Sequence, residues 1–326
     1  MAALTPAIED GTLSVVIAAH APAPDRFRRV LSALRIAVGK VGDVETIVVR
    51  NGGPAIPDAV LAAGPRITLV EEERLGIAWA RATGIGAARG THIVFVDDDT
   101  VLDEGYLSEA LRFAMANPSV GVFGGRIIGE FATPPARSVS AALPFLALRD
   151  LGQQEKRVSA RDDPGFDVPG AGMVLRRDIA LAFARMVEDG TLSGIGRTGN
   201  SLASGDDTAC CLIARRMGLQ LAYVPALRLT HIIPKGRLEA DYLRRLVHGI
   251  GGSAARLDAL FAGTETLRIL SGPQLLARRA VHIARHGMTG GLITSAWHVG
   301  YREQALREIA ERQTASVNAT GAPSQG

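Results

Sequence analysis

Short apolar runs alternate with amphipathic stretches along the first part of the chain. Residues 13–18 and 44–49 are rich in apolar and β-branched side chains, as is typical of strands buried in a sheet. Residues 25–38, which lie between them, repeat apolar side chains at helical spacing. This alternation predicts parallel strands joined by crossover helices, and therefore an α/β fold.

The same alternation continues to residue 224. It predicts further strands at residues 67–70, 93–96, 120–128 and 220–224 and helices at residues 77–88, 102–116, 178–187 and 206–217. Residues 129–167 contain two adjacent prolines and show no clear period, so we expect irregular structure there, part of it a mobile loop near the site. After His231 the spacing predicts only helices, at residues 239–247, 253–261, 272–285 and 292–312.

This change of pattern divides the chain into three regions. We predict an α/β domain over residues 1–235, with a mainly parallel central sheet flanked by helices. A C-terminal helical extension is expected over residues 236–313. Residues 314–326 are rich in Ser, Ala and Gly, so we expect a disordered tail.

Polar residues follow three of the predicted strands. They are the segments 18–20, 50–52 and 97–99. In open α/β sheets, ligands bind beyond the carboxyl ends of the strands. We therefore expect these three segments to lie together at one edge of the sheet.

Three consecutive carboxylates, Asp97, Asp98 and Asp99, end the most apolar of these strands. Desolvating such a cluster is costly unless a counter-charge is present. A hard cation such as Mg²⁺ or Mn²⁺, together with phosphate oxygens, would offset that cost. The alternative is that these residues form a turn or cap a helix.

Composition and charge narrow the class of protein. The chain has 326 residues, 47% hydrophobic and 21% charged, which is typical of a globular protein. A net charge of +3 gives no indication of nucleic-acid binding. The only cysteines are the adjacent Cys210 and Cys211, and neither a signal-peptide pattern nor a membrane-spanning run is seen. We expect a cytoplasmic protein with at most peripheral membrane contact.

Four segments in a fixed order resemble the motifs of family 2 inverting glycosyltransferases. They are residues 14–20, 48–53, 73–100 and 204–231, and the resemblance spans residues 12 to 235. It implies a nucleotide-sugar-binding α/β domain of the GT-A type. It also implies that a sugar moves from a nucleoside-diphosphate donor to a glycan or a lipid-linked acceptor in cell-surface polysaccharide or glycoconjugate synthesis.

The resemblance assigns the acid triplet to metal and donor. Asp99 corresponds to the ligand of Mn²⁺ or Mg²⁺, Asp97 to the residue facing the nucleoside and ribose, and Asp98 to the variable middle position. His231 matches a histidine that serves as a further metal ligand or contacts the pyrophosphate. From the residues alone, Asp98 is also consistent with an exposed turn and His231 with a structural role.

Further donor-binding residues follow from the same resemblance. Gly76 precedes a helix whose free N-terminal amides suit phosphate, and Arg81 adds a positive charge one turn later. Donor contacts are likewise implied for Ala18, His20, Asn51, Gly172 and Arg237. Considered alone, Arg81 also fits a surface helix, and Gly172 fits simple backbone packing.

Asp206 and Asp207 resemble the catalytic acid pair of the family. An inverting transfer needs a base that takes the proton of the acceptor hydroxyl on the face opposite the leaving group. The resemblance assigns this role to Asp207, with Asp206 standing where Glu is more usual. Helix capping is the alternative for both, because they begin a predicted helix.

Two residues depart from the family pattern. Arg50 stands where the family usually has an Asp that contacts the base, and an arginine cannot accept a hydrogen bond from uracil. His20 replaces a small polar residue. The nucleobase therefore stays open. The alternatives to a hexosyltransferase are a sugar nucleotidyltransferase and a non-catalytic nucleotide-sugar-binding homologue.

The predicted helix around residues 275–285 mixes apolar and basic side chains. Such a helix can lie on an anionic membrane, here the inner face of the plasma membrane. The alternative is a helix packed on the catalytic domain or within a homodimer.

Overall fold

The computed structural model describes residues 11–159, 162–163, 165–198 and 202–320. The chain forms two compact units. The first contains the chain up to Ala132, Ala147–Ser193 and Asp206–Ile233. The second contains Thr133–Leu146, Gly194–Gly205 and the chain from Pro234 onwards. The predicted catalytic domain over residues 1–235 stays a prediction. A division into compact units does not show which part of the chain is catalytic.

The first unit is built from alternating strands and helices. The strands are β1 (Leu13–Ala19), β2 (Val44–Arg50), β3 (Ile67–Glu71), β4 (His92–Asp97), β5 (Thr100–Leu102), β6 (Val120–Phe131), β7 (Lys156–Val158), β8 (Val174–Arg176) and β9 (Gln220–Ile233). The helices are α1 (Pro24–Val41), α2 (Asp58–Leu61), α3 (Ile77–Ala87), α4 (Tyr106–Ala116), α5 (Arg177–Glu188) and α6 (Asp206–Arg216). The predicted α/β class is confirmed.

One mixed sheet joins these strands in the order β3-β2-β1-β4-β8-β6-β9-β5, with β7 also paired to β9. The pairs β1–β2, β1–β4, β2–β3 and β6–β9 are parallel. The short strands β8, β5 and β7 run antiparallel to their neighbours. The sheet is therefore mainly parallel, as predicted.

Alternate residues of β1 point to opposite faces of the sheet and meet different helices. Val15 shares a buried cluster with Leu31 of α1 and Phe113 of α4. On the other face, a Cβ added to Gly84 of α3 would lie 2.3 Å from Val16 Cγ1. The sheet is thus covered by α1 and α4 on one face and by α3 on the other.

Strand β9 is longer than the predicted strand 220–224. Pro225 was expected to end it, because proline has no N–H to donate to a ladder. Instead the register between β6 and β9 shifts here, and pairing resumes as far as Ile233. Gly125 allows this shift, since a Cβ there would lie 1.9 Å from the carbonyl oxygen of Leu227.

Two other predictions differ from the structure. The helix predicted from residue 102 begins only at Tyr106, because residues 100–102 form β5 and pair with β9. The stretch 129–167 is not irregular throughout. It contains the end of β6, the 3-10 helix Arg137–Leu146 and strand β7.

The second unit is mainly helical. Besides the 3-10 helices Arg137–Leu146, Lys235–Leu238 and Thr264–Thr266, it contains α7 (Ala240–Ala262) and α8 (Gly272–Thr320). The helices predicted at residues 239–247 and 253–261 are therefore one. No helix among the described residues combines the length and apolarity needed to cross a bilayer.

Helices α7 and α8 approach closely through glycines. A Cβ on Gly251 would lie 2.1 Å from the carbonyl oxygen of Trp297, and one on Gly300 would lie 2.0 Å from that of His248. Helix α8 includes residues 314–320 of the expected tail, and the rest of the tail, residues 321–326, lies outside the described residues.

Candidate functional site

The carboxyl ends of β1, β2 and β4 lie side by side. Ala18 pairs in register with Asp97, and Ala19 pairs with Arg50. The sheet edge expected from the sequence is therefore formed. Because side chains alternate along β4, Phe95 and Asp97 share a face, and this is the face that α3 covers.

Arg81 of α3 is the centre of this edge. It is 3% exposed, and its guanidinium carbon lies 4.6 Å from the centroid of the Phe95 ring. One terminal nitrogen donates to Asp97 Oδ1 at 3.1 Å, and the other donates to Asp206 Oδ2. Arg81 is therefore a buried side chain that joins α3, β4 and α6, and not a surface arginine.

The charge of Arg81 is compensated by carboxylates. Burial alone would lower the pKa of this guanidinium, but Asp206 and Asp97 outweigh it and raise the pKa above its ordinary value. Arg81 stays protonated at every accessible pH. Asp206 and Asp97 are in turn held by a fixed positive charge.

Gly170 makes room for this arginine. A Cβ at Gly170 would lie 2.7 Å from Arg81 Nη1. The backbone N–H of Gly170 donates to Asp207 Oδ2 at 3.0 Å. The backbone N–H of Thr208 donates to Asp207 Oδ1 at 2.9 Å. One glycine thus lies between the arginine and the second acid of the pair.

Asp206 and Asp207 are adjacent in sequence but have different partners. Asp206 forms an ion pair with Arg81, whereas Asp207 is held by backbone amides and pairs with no lysine or arginine of the described chain. Burial raises the pKa of Asp207, and Asp206 raises it further, while Arg81 acts in the opposite direction. Asp207 is thus the carboxylate better able to accept a proton.

Asp167 is a neighbouring acid that the sequence analysis missed. Its Oδ2 accepts a hydrogen bond from Thr208 Oγ1 at 3.1 Å. Burial raises the pKa of Asp167 to about 6, with a further contribution from Asp207, while Arg215 and Arg149 act to lower it. No periodicity indicated this residue, since it lies in the stretch without a clear pattern.

Asp99 and His231 meet at the turn between β4 and β5. Thr100 pairs with His231 across the β5–β9 ladder, and the N–H of Ile232 donates to Asp99 O at 2.9 Å. His231 Nε2 lies 3.4 Å from Asp99 Oδ1, and the two residues are 5% and 2% exposed. The β5–β9 pairing, which the sequence did not indicate, explains this contact.

This pair fits a metal site that the substrate would complete. Within the described ranges, no group of three or more His, Cys, Asp or Glu side chains is arranged to hold a metal. Mg²⁺ is usually bound through one or two carboxylates together with phosphate oxygens and water. A buried carboxylate beside an imidazole supplies that kind of incomplete set.

Asn51 fixes the entrance to α3. It is 3% exposed, and its amide nitrogen donates to the carbonyls of Glu72 and Arg74 at 3.0 and 2.8 Å. Its Oδ1 accepts from the N–H of Gly76 at 2.8 Å. Gly76 has φ 137°, a conformation that favours glycine. Asn51 therefore sets the position of the α3 N-terminus.

His20 and Arg50 lie beside this entrance. His20 Nδ1 lies 2.6 Å from Asn51 O, so this ring nitrogen donates. The Arg50 guanidinium pairs with Glu71, its register neighbour on β3, and also donates to Gly53 O at 3.0 Å. The departure from the family pattern at Arg50 thus corresponds to an ion pair between strands.

Gly172 lies against the core and not in open space. Its φ is +73°, and a Cβ would lie 2.3 Å from Leu229 Cδ2 and 2.6 Å from Tyr106 Oη. Its carbonyl accepts a hydrogen bond from the Tyr106 hydroxyl. These contacts give Gly172 a structural reason to be glycine, and its donor contact stays a prediction.

Asp98 and Arg237 are the two remaining predicted residues. Asp98 Oδ1 is 3.8 Å from Arg26 Nη2 of α1, at the same sheet edge. Arg237 belongs to the 3-10 helix Lys235–Leu238 of the second unit, and its donor contact stays a prediction. Cys210 and Cys211 are buried and free, as expected.

One family model matches more than half of the chain. The sequence model of Glycosyl transferase family 2 matches residues 14–182, just over half of the 326-residue chain. The match includes β1 to β4, the acid triplet and Arg81. It ends before Asp206 and Asp207. No curated protein matches the chain.

Two solved structures are similar to this chain at low sequence identity. A mycobacterial protein has 18% identity and a TM-score of 0.46, over 78% of this chain and 76% of its own. Residues 1–349 of S. aureus TarS have 12% identity and a TM-score of 0.49, over 93% and 92%. Both TM-scores lie below 0.5, so we draw no conclusion from these likenesses.

Proposed function

Since the chain belongs to glycosyl transferase family 2, and is therefore a glycosyltransferase that uses a nucleotide-sugar donor and an acceptor, we propose that it is a metal-dependent inverting hexosyltransferase with Asp207 as the base. In this proposal the acceptor is a glycan or a lipid-linked acceptor of cell-surface polysaccharide or glycoconjugate synthesis. The free, buried cysteines support a cytoplasmic location.

One observation carries this proposal: the acids at the sheet edge have separate partners. Asp97 and Asp206 are paired with Arg81, and Asp99 lies beside His231. Among the described residues, the donors to the Asp207 carboxylate are backbone N–H groups, and burial raises the pKa of Asp207. A single displacement needs one carboxylate that is free to take a proton, and Asp207 meets this need.

In this mechanism Asp207 accepts the proton of the acceptor hydroxyl as that oxygen attacks the sugar. The amides of Gly170 and Thr208 hold the carboxylate in a fixed orientation. Asn51 and Gly76 set the α3 N-terminus, whose free amides suit a phosphate. Arg81 contributes through the position of Asp97 and Asp206, to which its two terminal nitrogens donate.

Asp99 and His231 would hold the divalent ion, Mn²⁺ or Mg²⁺. When bound, such an ion offsets the negative charge that develops on the departing diphosphate. Asp98, at the same turn, adds negative charge to this region and is held near Arg26.

The base assignment is tested with Asp207→Asn. We expect turnover to fall by roughly 10²- to 10⁴-fold, because only the proton acceptor is lost, while donor affinity changes little. Donor affinity is measured by calorimetry and turnover by release of nucleoside diphosphate. Asp43→Asn, an exposed carboxylate, is the matched control. Turnover of Asp207→Asn equal to that of the control would refute the assignment.

The metal assignment is tested with Asp99→Ala. We expect this variant to lose the stimulation of nucleoside-diphosphate binding by Mn²⁺, because a buried carboxylate ligand is removed. Asp103→Ala, four residues away and exposed, should keep the stimulation. The same Mn²⁺ dependence in both variants, measured by calorimetry, would show that Asp99 is not a ligand.

Product analysis separates this proposal from its alternatives. A glycosyltransferase releases nucleoside diphosphate, whereas a sugar nucleotidyltransferase releases pyrophosphate. A non-catalytic homologue would bind the donor and release neither. Release of nucleoside diphosphate that requires Asp207 is the result we expect.

A further inference from the structure

Helix α8 reverses direction near its start. Gly287 has φ 73° and ψ 175°, which interrupts the helix. Arg302 Nε donates to Leu270 O at 2.9 Å, and His282 Nδ1 lies 2.8 Å from Thr294 Oγ1. Residues 272–286, which we call the first arm, therefore run back along residues 288–302.

The first arm buries only one side. His282 faces the second part of α8, and its ring centroid lies 5.4 Å from that of His298. The opposite side is open, with Leu276 66% and Val281 57% exposed. At helical spacing these two share an exposed face with three small apolar residues, Ala277, Ala280 and Ala284.

Basic residues flank this apolar face. Arg278, Arg279 and Arg285 are exposed, and none of them pairs with a carboxylate of the described residues. Between Glu265 and Glu303 the sequence contains five arginines and no acidic residue. The first arm thus presents apolar side chains beside arginines that form no ion pair among the described residues.

We propose that the first arm binds the surface of an anionic lipid bilayer. Helices with an apolar face and flanking arginines lie in the interface of a membrane, where apolar side chains enter the acyl boundary and cations meet lipid phosphates. The exposed face of the first arm has both features. This inference rests on exposure and charge, and does not depend on the proposed chemistry.

Other occupants explain fewer of these observations. A second copy packed by two-fold symmetry would bring two sets of arginines together with no acidic partner between them. A nucleic acid would use the arginines but would leave Leu276 and Val281 facing water. An anionic membrane satisfies the apolar face and the charge together.

Vesicle co-sedimentation of the full chain tests the proposal. We expect binding to phosphatidylcholine vesicles that contain about 30 mol% phosphatidylglycerol, weak binding to pure phosphatidylcholine, and release at about 0.5 M salt. Leu276→Gln/Val281→Gln should lower the partition coefficient by roughly tenfold. Arg278→Gln/Arg285→Gln should lower it by at least as much.

Matched variants separate this surface from general effects. Ile36→Gln/Met115→Gln removes two other exposed apolar side chains, and Arg244→Gln/Arg245→Gln makes the same change in net charge on α7. Both should bind like the unchanged protein. Circular dichroism verifies that each variant is folded, and donor hydrolysis should stay unchanged in all four.

Two outcomes would overturn the proposal. One is vesicle binding that is equal in the first-arm variants and their controls. The other is loss of self-association in Leu276→Gln/Val281→Gln, measured by analytical ultracentrifugation, with no loss of vesicle binding. That result would assign the apolar face to a second copy of the chain. Neither outcome bears on Asp207 or Asp99.

Discussion

At the scale of single residues, Arg81 holds together the candidate site. Its guanidinium stacks on Phe95 and donates to Asp97 and Asp206, which belong to different elements. Only a planar side chain with several donors can serve two carboxylates in this way. A lysine has one ammonium on a flexible stem and cannot reproduce these contacts.

Arg81→Lys should therefore weaken both the fold and the activity. We expect a loss of about 2–4 kcal/mol in the free energy of unfolding, because one buried carboxylate is left without its partner. Turnover should fall as Asp206 moves. Urea unfolding and donor hydrolysis measure the two effects. Arg89→Lys, at an exposed position just after α3, should change neither, and an equally small effect at Arg81 would contradict this account.

At the scale of elements, the distance between α3 and the sheet depends on one glycine. A Cβ on Gly84 would lie 2.3 Å from Val16 Cγ1 and 3.1 Å from Val49 Cγ2. Gly86 is also in α3, but a Cβ there would meet no atom within 4 Å. Close packing of α3 on the sheet therefore requires a glycine at residue 84 and not at residue 86.

These two glycines give opposite predictions for the same substitution. Gly84→Ala should lower the free energy of unfolding by about 1–3 kcal/mol, because the added methyl group overpacks the sheet surface. Gly86→Ala should raise it by about 0.5–1 kcal/mol, since alanine favours the helix. Urea unfolding of both variants tests the pair. A loss of stability in both would mean that α3 tolerates neither methyl group.

At the scale of the whole molecule, the buried His92 and the half-buried Asp167 change the stability of the fold in opposite directions as the pH changes. Burial lowers the pKa of His92 to about 4, and Arg176 lowers it further. Between about pH 6.5 and pH 4 the unfolded chain binds a proton at His92 that the folded protein does not, so acid lowers stability there. Asp167, with its pKa raised to about 6, acts in the opposite sense.

The variant Asp167→Asn isolates the contribution of Asp167 to the pH dependence of stability. Between about pH 4 and pH 6 the folded protein holds a proton on Asp167 that the unfolded chain has lost, so stability decreases as pH rises. An amide keeps an acceptor for Thr208 and removes this cost. We therefore expect a gain of about 2 kcal/mol at about pH 7 and none below about pH 4.

Urea unfolding of this variant and of the unchanged protein across that pH range gives the difference in their unfolding free energies. His92 contributes equally to both proteins, so its effect does not appear in this difference. A difference that does not vary with pH would show that Asp167 has an ordinary pKa when folded.

Much of this architecture could be predicted from local pattern. Strands β1, β2 and β4 were expected within one or two residues, because a strand buried on both faces must be almost wholly apolar. Because these strands are parallel, their polar carboxyl ends could also be predicted to lie together at one edge of the sheet. Strand β5 and the second half of β9 were missed, because a short strand and a strand interrupted by Pro225 have no clear period.

The sequence by itself determined the α/β class, the sheet edge and the acidic character of the site, since these depend on periodicity and on residue type at strand ends. Only the tertiary structure decided which charged side chains pair with each other. It paired Arg81 with Asp206 across 125 positions, brought His231 to Asp99 through β5, and left Asp207 to backbone amides. Such pairings depend on distances between elements remote in sequence, which local pattern does not specify.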